Sequence, residues 1–164
     1  MTLVVLNDFL ISIRLIMNNS LTDEAIDAHL DELSKAQPLD DYCTNCGDCC
    51  SPSVMVKSAN NSPFKILVPE LKCKFNKSID GESACTVYGE RFQKASWCLD
   101  LKGMIKEGAA PDDCPYVDTL KGYKPTLKLG NPQYGAILPL LKKAISSSDT
   151  SPFDGEDMKK FLEV

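Results

Sequence analysis

The chain has one histidine, one tryptophan, no excess of positive charge and no long apolar run. With a single histidine there is no Cys/His pair for nucleophilic catalysis and no carboxylate–histidine metal motif, and no glycine-rich loop of the phosphate-cradling kind is present. A net charge of −5 and an isoelectric point near 4.9 argue against a nucleic-acid footprint. The most apolar stretch, Leu3 to Met17, is interrupted by Asn7, Asp8 and Arg14. It lacks a basic leading segment and is too short to cross a bilayer, so neither a signal peptide nor a transmembrane helix is expected. These absences point to a cytoplasmic, reducing location without membrane or nucleic-acid partners.

What the chain has instead is sulfur. Eight cysteines occur in 164 residues: Cys43, Cys46, Cys49, Cys50, Cys73, Cys85, Cys98 and Cys114. Four of them fall inside Cys43-Thr44-Asn45-Cys46-Gly47-Asp48-Cys49-Cys50. Such short spacings strain disulfides, and adjacent cysteines point apart. In a reducing compartment, clustered thiols more often bind metal. A Cys-x-x-Cys pair lets two thiolates hold one ion, and Gly47 fits the positive-φ turn that such knuckles require.

Length and composition predict a small, helix-dominated α+β domain with short antiparallel strands and a cysteine-rich metal-binding core. Residues 1–20 read as an N-terminal extension, with Met17 an alternative start. Residues 21–145 form the cysteine-cluster domain, and 146–164 a linker followed by a short helix. A helix is expected from about residue 21 or 22, with Ser20, Asp23 and Glu24 favouring its start, Ala25, Ile26, Leu30 and Leu33 on one face, and Pro38 closing it. His29, on that helix, is expected to be an ordinary helix residue and not a ligand. Residues 54–56 and 64–68 read as strands, 71–75 as a further strand carrying Cys73, and Asp80-Gly81 as a turn. Residues 89–107 read as one helix stopped by Gly108. A third helical stretch spans 133–147, disturbed by Pro139, and 155–162 a last turn or two.

Three groupings of the thiols compete. Zinc in two four-cysteine sites, or in a thiolate-bridged cluster, would use all eight sulfurs. An iron–sulfur cluster would take Cys43, Cys46 and Cys49 with Cys114-Pro115 as the remote fourth ligand, leaving four cysteines for a second site. In the third, the dispersed cysteines are merely small buried hydrophobes, or disulfides form.

Cys43-x2-Cys46-Gly47-x-Cys49-Cys50 resembles the signature of the YkgJ-type CxxCxxCC cysteine-cluster family, which is described as a zinc- or iron-chelating domain. Cys85-x2-Tyr88-x2-Arg91 is similar to that family's second element. Phe92, the Arg91-to-Cys98 interval and Pro111-Asp112-Asp113-Cys114-Pro115-Tyr116 are similar to its YcgN-like branch. The resemblance covers about residues 43–116 and implies a metal-chelating role, with all eight cysteines as candidate ligands.

No base or nucleophile accompanies Tyr88 and Arg91, so no catalytic residue is assigned. Tyr88 is expected to pack and Arg91 to pair with Glu90 or Asp100, or to hydrogen-bond to the cluster. Trp97 is expected in the core, shielding the sulfur of Cys98. The lysines near the later cysteines (Lys72, Lys74, Lys77, Lys94 and Lys102) are expected mostly to be solvated, as are the acidic pairs Asp40-Asp41 and Asp112-Asp113. The reading is therefore a metal-chelating protein binding zinc, structural or homeostatic. Its alternatives are an iron–sulfur protein in electron transfer or supporting a modification enzyme, and an interaction module shaped by its metal.

Overall fold

The computed structural model describes residues 21–57, 63–128 and 137–163. The expectations placed on residues 1–20, on 58–62 and on 129–136 lie outside these described residues. Helix α1 (Asp23–Ala36) starts at Thr22, whose hydroxyl accepts from the Ala25 amide at 3.2 Å. Thr22 thus supplies the cap at the start of the predicted helix, and Asp23 and Glu24 in the first turn favour its dipole. Ile26 is fully buried, with Leu30 and Leu33 half-buried on the same face, as the 3.6-residue period requires.

Strands β1 (Ser53–Lys57) and β2 (Pro63–Leu67) pair antiparallel with Val54 opposite Ile66. A second hairpin joins β3 (Asn76–Ile79) to β4 (Glu82–Cys85) through Asp80 and Gly81, both at positive φ. The Asp-Gly pair suits that twist-matched turn because both positions tolerate left-handed backbone. The expected strand at 71–75 is absent: Cys73 makes only an isolated bridge to Phe153, and residues 76–79 pair instead.

The single helix expected over 89–107 is broken into two. After a 3₁₀ turn (Tyr88–Glu90), α2 (Arg91–Lys94) ends at Ala95. A new helix, α3 (Leu101–Lys106), starts where the Asp100 carboxylate accepts from the Gly103 amide at 2.6 Å. An aspartate that caps a new helix competes with continuation of the old one. Gly108, at φ +70°, follows the end of α3. Strand β5 (Leu127–Lys128) joins β2 in parallel, α4 (Leu138–Ser146) carries Pro139 in its first turn, and α5 (Gly155–Glu163) closes the described chain. Pro139 is harmless there because the first amides of a helix have no internal acceptor.

These elements assemble two hydrophobic clusters in one α+β domain. In the first, Ile66, Val68 and Leu71 meet Ile137, Leu141 and Ile145, with Met158 and Phe161 of α5 closing it. In the second, Ile26 of α1 packs on Met104 and Ile105 of α3 and on Ala109, Ala110, Tyr116 and Val117. The cysteine loop is the segment that carries the chain from the second cluster to the first. Among the described residues, no helix is long and apolar enough to cross a membrane.

Candidate metal-ligating thiol site

All eight cysteines are free thiols. The loop that carries the first four turns sharply at Gly47, whose φ of +75° is the left-handed conformation expected of it. Gly47 is also pressed against the β3–β4 hairpin. A Cβ added there would lie 2.6 Å from Ser83 Cβ and 2.9 Å from Lys72 Nζ. The Ser83 amide donates to the Asn45 carbonyl at 3.0 Å, and Lys72 Nζ donates to the Cys46 carbonyl at 3.2 Å. The early loop is thereby stitched to the region of the later cysteines.

The dispersed cysteines divide between two neighbourhoods. The Cys73 amide donates to the Cys50 carbonyl at 3.0 Å, and the Asn76 amide donates to the Cys73 carbonyl at 2.8 Å. Asn76 pairs in register with Cys85. Cys98 joins this group: burial raises its pKa, Arg91 opposes the rise, and the charges of Cys50, Cys85 and Cys73 add to it. Cys114 belongs elsewhere. Burial raises its pKa first, its backbone contact near Tyr116 opposes, and the charges of Cys46 and Cys43 add to the rise. Tyr116 in turn lies against Tyr42, the neighbour of Cys43, with ring centroids 6.0 Å apart.

Cys49 and Cys50 stand at the seam. They occupy one 3₁₀ turn (Asp48–Cys50) with their thiols hydrogen-bonded to each other. That bond to Cys50 pushes the pKa of Cys49 up, with burial of the thiol and the charges of Cys50, Cys46 and Cys43 adding. Cys50 is pulled down by that same hydrogen bond, against burial, with the Asn76 side chain and Lys72 helping. The Asn76 amide is itself oriented, since its Oδ1 accepts from Ser83 Oγ at 3.0 Å. By these contacts Cys43, Cys46 and Cys114 lie on one side and Cys50, Cys73, Cys85 and Cys98 on the other, with Cys49 near Cys43 and Cys46 but hydrogen-bonded to Cys50. Among the described residues, no three His, Cys, Asp or Glu side chains stand as close as a bound ion would require.

The two groups differ in access. Cys43, Cys46 and Cys49 are exposed as whole residues, although the Cys49 thiol itself is turned inward, and Cys114 is half-buried, as is every member of the second group. An open cleft of about 520 Å³ lies beside the first, lined by Asn45, Cys46, Lys72, Asn76, Glu82 and Ser83 among others.

Several neighbouring residues stand where the sequence did not put them. Trp97 is half-buried, stacks on Phe75 and donates its indole N–H to Cys73 Sγ at 3.4 Å, so the sulfur it meets is not that of Cys98. Tyr88 is 56% exposed instead of packed. Arg91 pairs with neither expected acid, since Glu90 holds Lys94 at 2.6 Å and Asp100 caps α3. Its guanidinium lies 4.0 Å from the Tyr88 ring centroid and 4.4 Å from that of Phe92, and its charge reaches Cys98. Of the five lysines, Lys77, Lys94 and Lys102 pair with carboxylates and Lys74 lies over the Phe75 and Trp97 rings. Lys72 is the one set against the cysteine loop. His29 is half-buried, its Nε2 engaged with the Tyr116 carbonyl at 2.9 Å. Asp40, Asp41, Asp112 and Asp113 are exposed, as expected. Asn76 and Ser83 were not singled out from sequence, and no spacing signal marks them, because their role arises from the hairpin register.

No family model matches the chain, and no solved structure matches it. The chain is similar to an uncharacterised protein of the archaeon Methanocaldococcus jannaschii, with 33% identity over 86 residues. That alignment covers 52% of this chain and 57% of the relative, so the chain spans little more than half of the relative's length.

Proposed function

We propose that this protein chelates metal through two four-thiolate sets, Cys43/Cys46/Cys49/Cys114 and Cys50/Cys73/Cys85/Cys98, with zinc as the ion in each. The observation that carries the reading is the gathering of eight free thiols into two neighbourhoods that meet at Cys49, enough sulfur for two four-coordinate zinc sites. The donor chemistry fits, since soft thiolates select zinc, copper(I) or iron–sulfur clusters. Ser51 adds support: its hydroxyl is buried beside Cys50 without a hydrogen-bond partner among the described residues, and a thiolate set drawn together there would supply an acceptor. Lys72, Asn76, Trp97 and Arg91 provide the donors and positive charge that anionic sulfur needs. When bound, the ion would supply cross-linking and no redox chemistry.

The half-buried second set suits a structural metal, and the exposed first set beside the cleft an exchangeable one. A reducing compartment and the resemblance to the CxxCxxCC cluster family are part of the same proposal. A second reading is favoured by one feature, the Cys-x2-Cys-x2-Cys loop whose neighbouring fourth thiol is followed by Pro115. That set would equally hold an iron–sulfur cluster serving electron transfer or a modification enzyme. Anaerobic purification, metal analysis and a visible spectrum decide the matter. About two zinc ions per colourless chain are expected. Brown colour with acid-labile sulfide would assign the first set to iron, and metal-free protein with eight reactive thiols would overturn the chelation reading.

A further inference from the structure

We infer that the two thiol sets fill cooperatively, because consecutive residues of one 3₁₀ turn, Cys49 and Cys50, serve different sets. The inference rests on the chelation reading above and extends it to how the sets regulate one another. Three observations carry it. First, Cys49 and Cys50 are joined by one peptide bond inside the turn Asp48–Cys50, whose Cys50 amide donates to the Gly47 carbonyl at 3.0 Å and Ser51 amide to the Asp48 carbonyl at 3.0 Å. Fixing the direction of one thiol therefore fixes the backbone from which the other projects.

Second, the turn is tied to both neighbourhoods. Its Cys50 carbonyl accepts from the Cys73 amide, while Lys72, next in sequence to Cys73, holds the Cys46 carbonyl at 3.2 Å. Third, Gly47 admits no side chain against Ser83 and Lys72, so the turn has little room to shift independently of the hairpin. With the sulfurs not closed around an ion, some of them must move to bind. The ordering required by the first ion then need not be repeated by the second, which is positive coupling.

The test is a cobalt titration followed by thiolate-to-cobalt charge-transfer absorption and native mass spectrometry. Cys114→Ser disables the first set and Cys85→Ser the second. Each is expected to weaken cobalt binding at the intact set by about fivefold or more, and by the same factor in both directions, as linkage requires. One glycine inserted between Cys49 and Cys50 keeps all eight thiols and is expected to abolish the coupling while two ions still bind. Intact-set affinities equal to wild type would overturn the inference. Wild-type protein gives an independent measurement that does not depend on any variant folding. For tenfold coupling between sets of equal intrinsic affinity the singly loaded species at half saturation falls to about one quarter of molecules, against about one half for independent sites. A singly loaded fraction below one half establishes the coupling, because independent sites of any relative affinity give one half or more. Absence of any thiolate-to-cobalt band overturns the chelation reading itself.

Discussion

Replacing Gly47 by alanine tests whether the cysteine loop is held by its backbone conformation and its seat on the hairpin together. The φ of +75° costs a residue with a Cβ about 1–2 kcal/mol. The new methyl would also meet Ser83 Cβ at 2.6 Å and Lys72 Nζ at 2.9 Å. Relieving that overlap requires movement of β4 or of Lys72, and overpacking of this kind costs about 1–3 kcal/mol. The sum, about 2–5 kcal/mol, is a large share of the stability of a small domain. Two other glycines separate the contributions. Gly81 has φ +88° but open space around it, so its alanine variant should lose only the conformational part, about 1–2 kcal/mol. Gly155, at the start of α5, has neither constraint, and its alanine variant should be neutral or gain up to about 1 kcal/mol. Urea unfolding followed by circular dichroism gives all three values. Equal losses at Gly47 and Gly81 would refute the close packing of loop on hairpin, and no loss at either would refute the backbone argument.

Two further predictions concern charge. Lys72→Met keeps the stem but removes both the hydrogen bond to the Cys46 carbonyl and the positive charge beside Cys50. Metal affinity, measured by chelator competition, should fall about tenfold, as for other partners of metal ligands, and an unchanged affinity would deny Lys72 its role. Asp154 precedes α5, accepts from the Glu156 amide at 3.0 Å, and has its pKa lowered chiefly by that bond. Its stabilising effect is therefore present above the ordinary carboxylate value of 3.8 and lost as pH falls through the lower folded value. Protection factors of the α5 amides should fall below that pH in the wild type, and Asp154→Ala should show the lower protection at neutral pH as well.

Helix α1, the two hairpin strands at 53–57 and 63–67, the Asp-Gly turn and the positive φ of Gly47 were all legible, because each is written in a local pattern. The break between α2 and α3 was not. Phe92, Leu99 and Leu101 continue an apolar run, yet Phe92 and Leu99 are about half exposed, at 52% and 46%, and the Asp100 cap decides the boundary. The strand expected at 71–75 failed for a similar reason, since the ladder partner of β4 is fixed by the turn at Asp80-Gly81 and starts at Asn76. All eight cysteines could be named as candidates from the sequence, but only the early loop carries a ligand spacing. Which late cysteine lies near which early one depends on hairpin register and on the Tyr42–Tyr116 contact, neither of which has a sequence period. Trp97 shows the same limit, because its neighbour in sequence is Cys98 and its neighbour in space is Cys73.

The order of cysteines along the chain acquires a physical logic from the two hydrophobic clusters. Neither cluster is large, and small separate cores are individually marginal. Cys43, Cys46 and Cys49 follow the segment that leaves the α1–α3 cluster, and Cys114 packs against that same cluster. Cys50 leads into β1, and Cys73 lies two residues beyond Leu71 of the other cluster. Cys85 and Cys98 then lead back toward α3. Under the chelation reading, each ion ties a different pair of crossings, and the Cys49–Cys50 peptide is where the two ties meet. Metal would then serve less to add stability to either core than to make the two unfold as one. A chelator-treated protein should lose its single cooperative transition while retaining helix signal from both clusters, and an unchanged sharp transition would place the cohesion in the cores themselves.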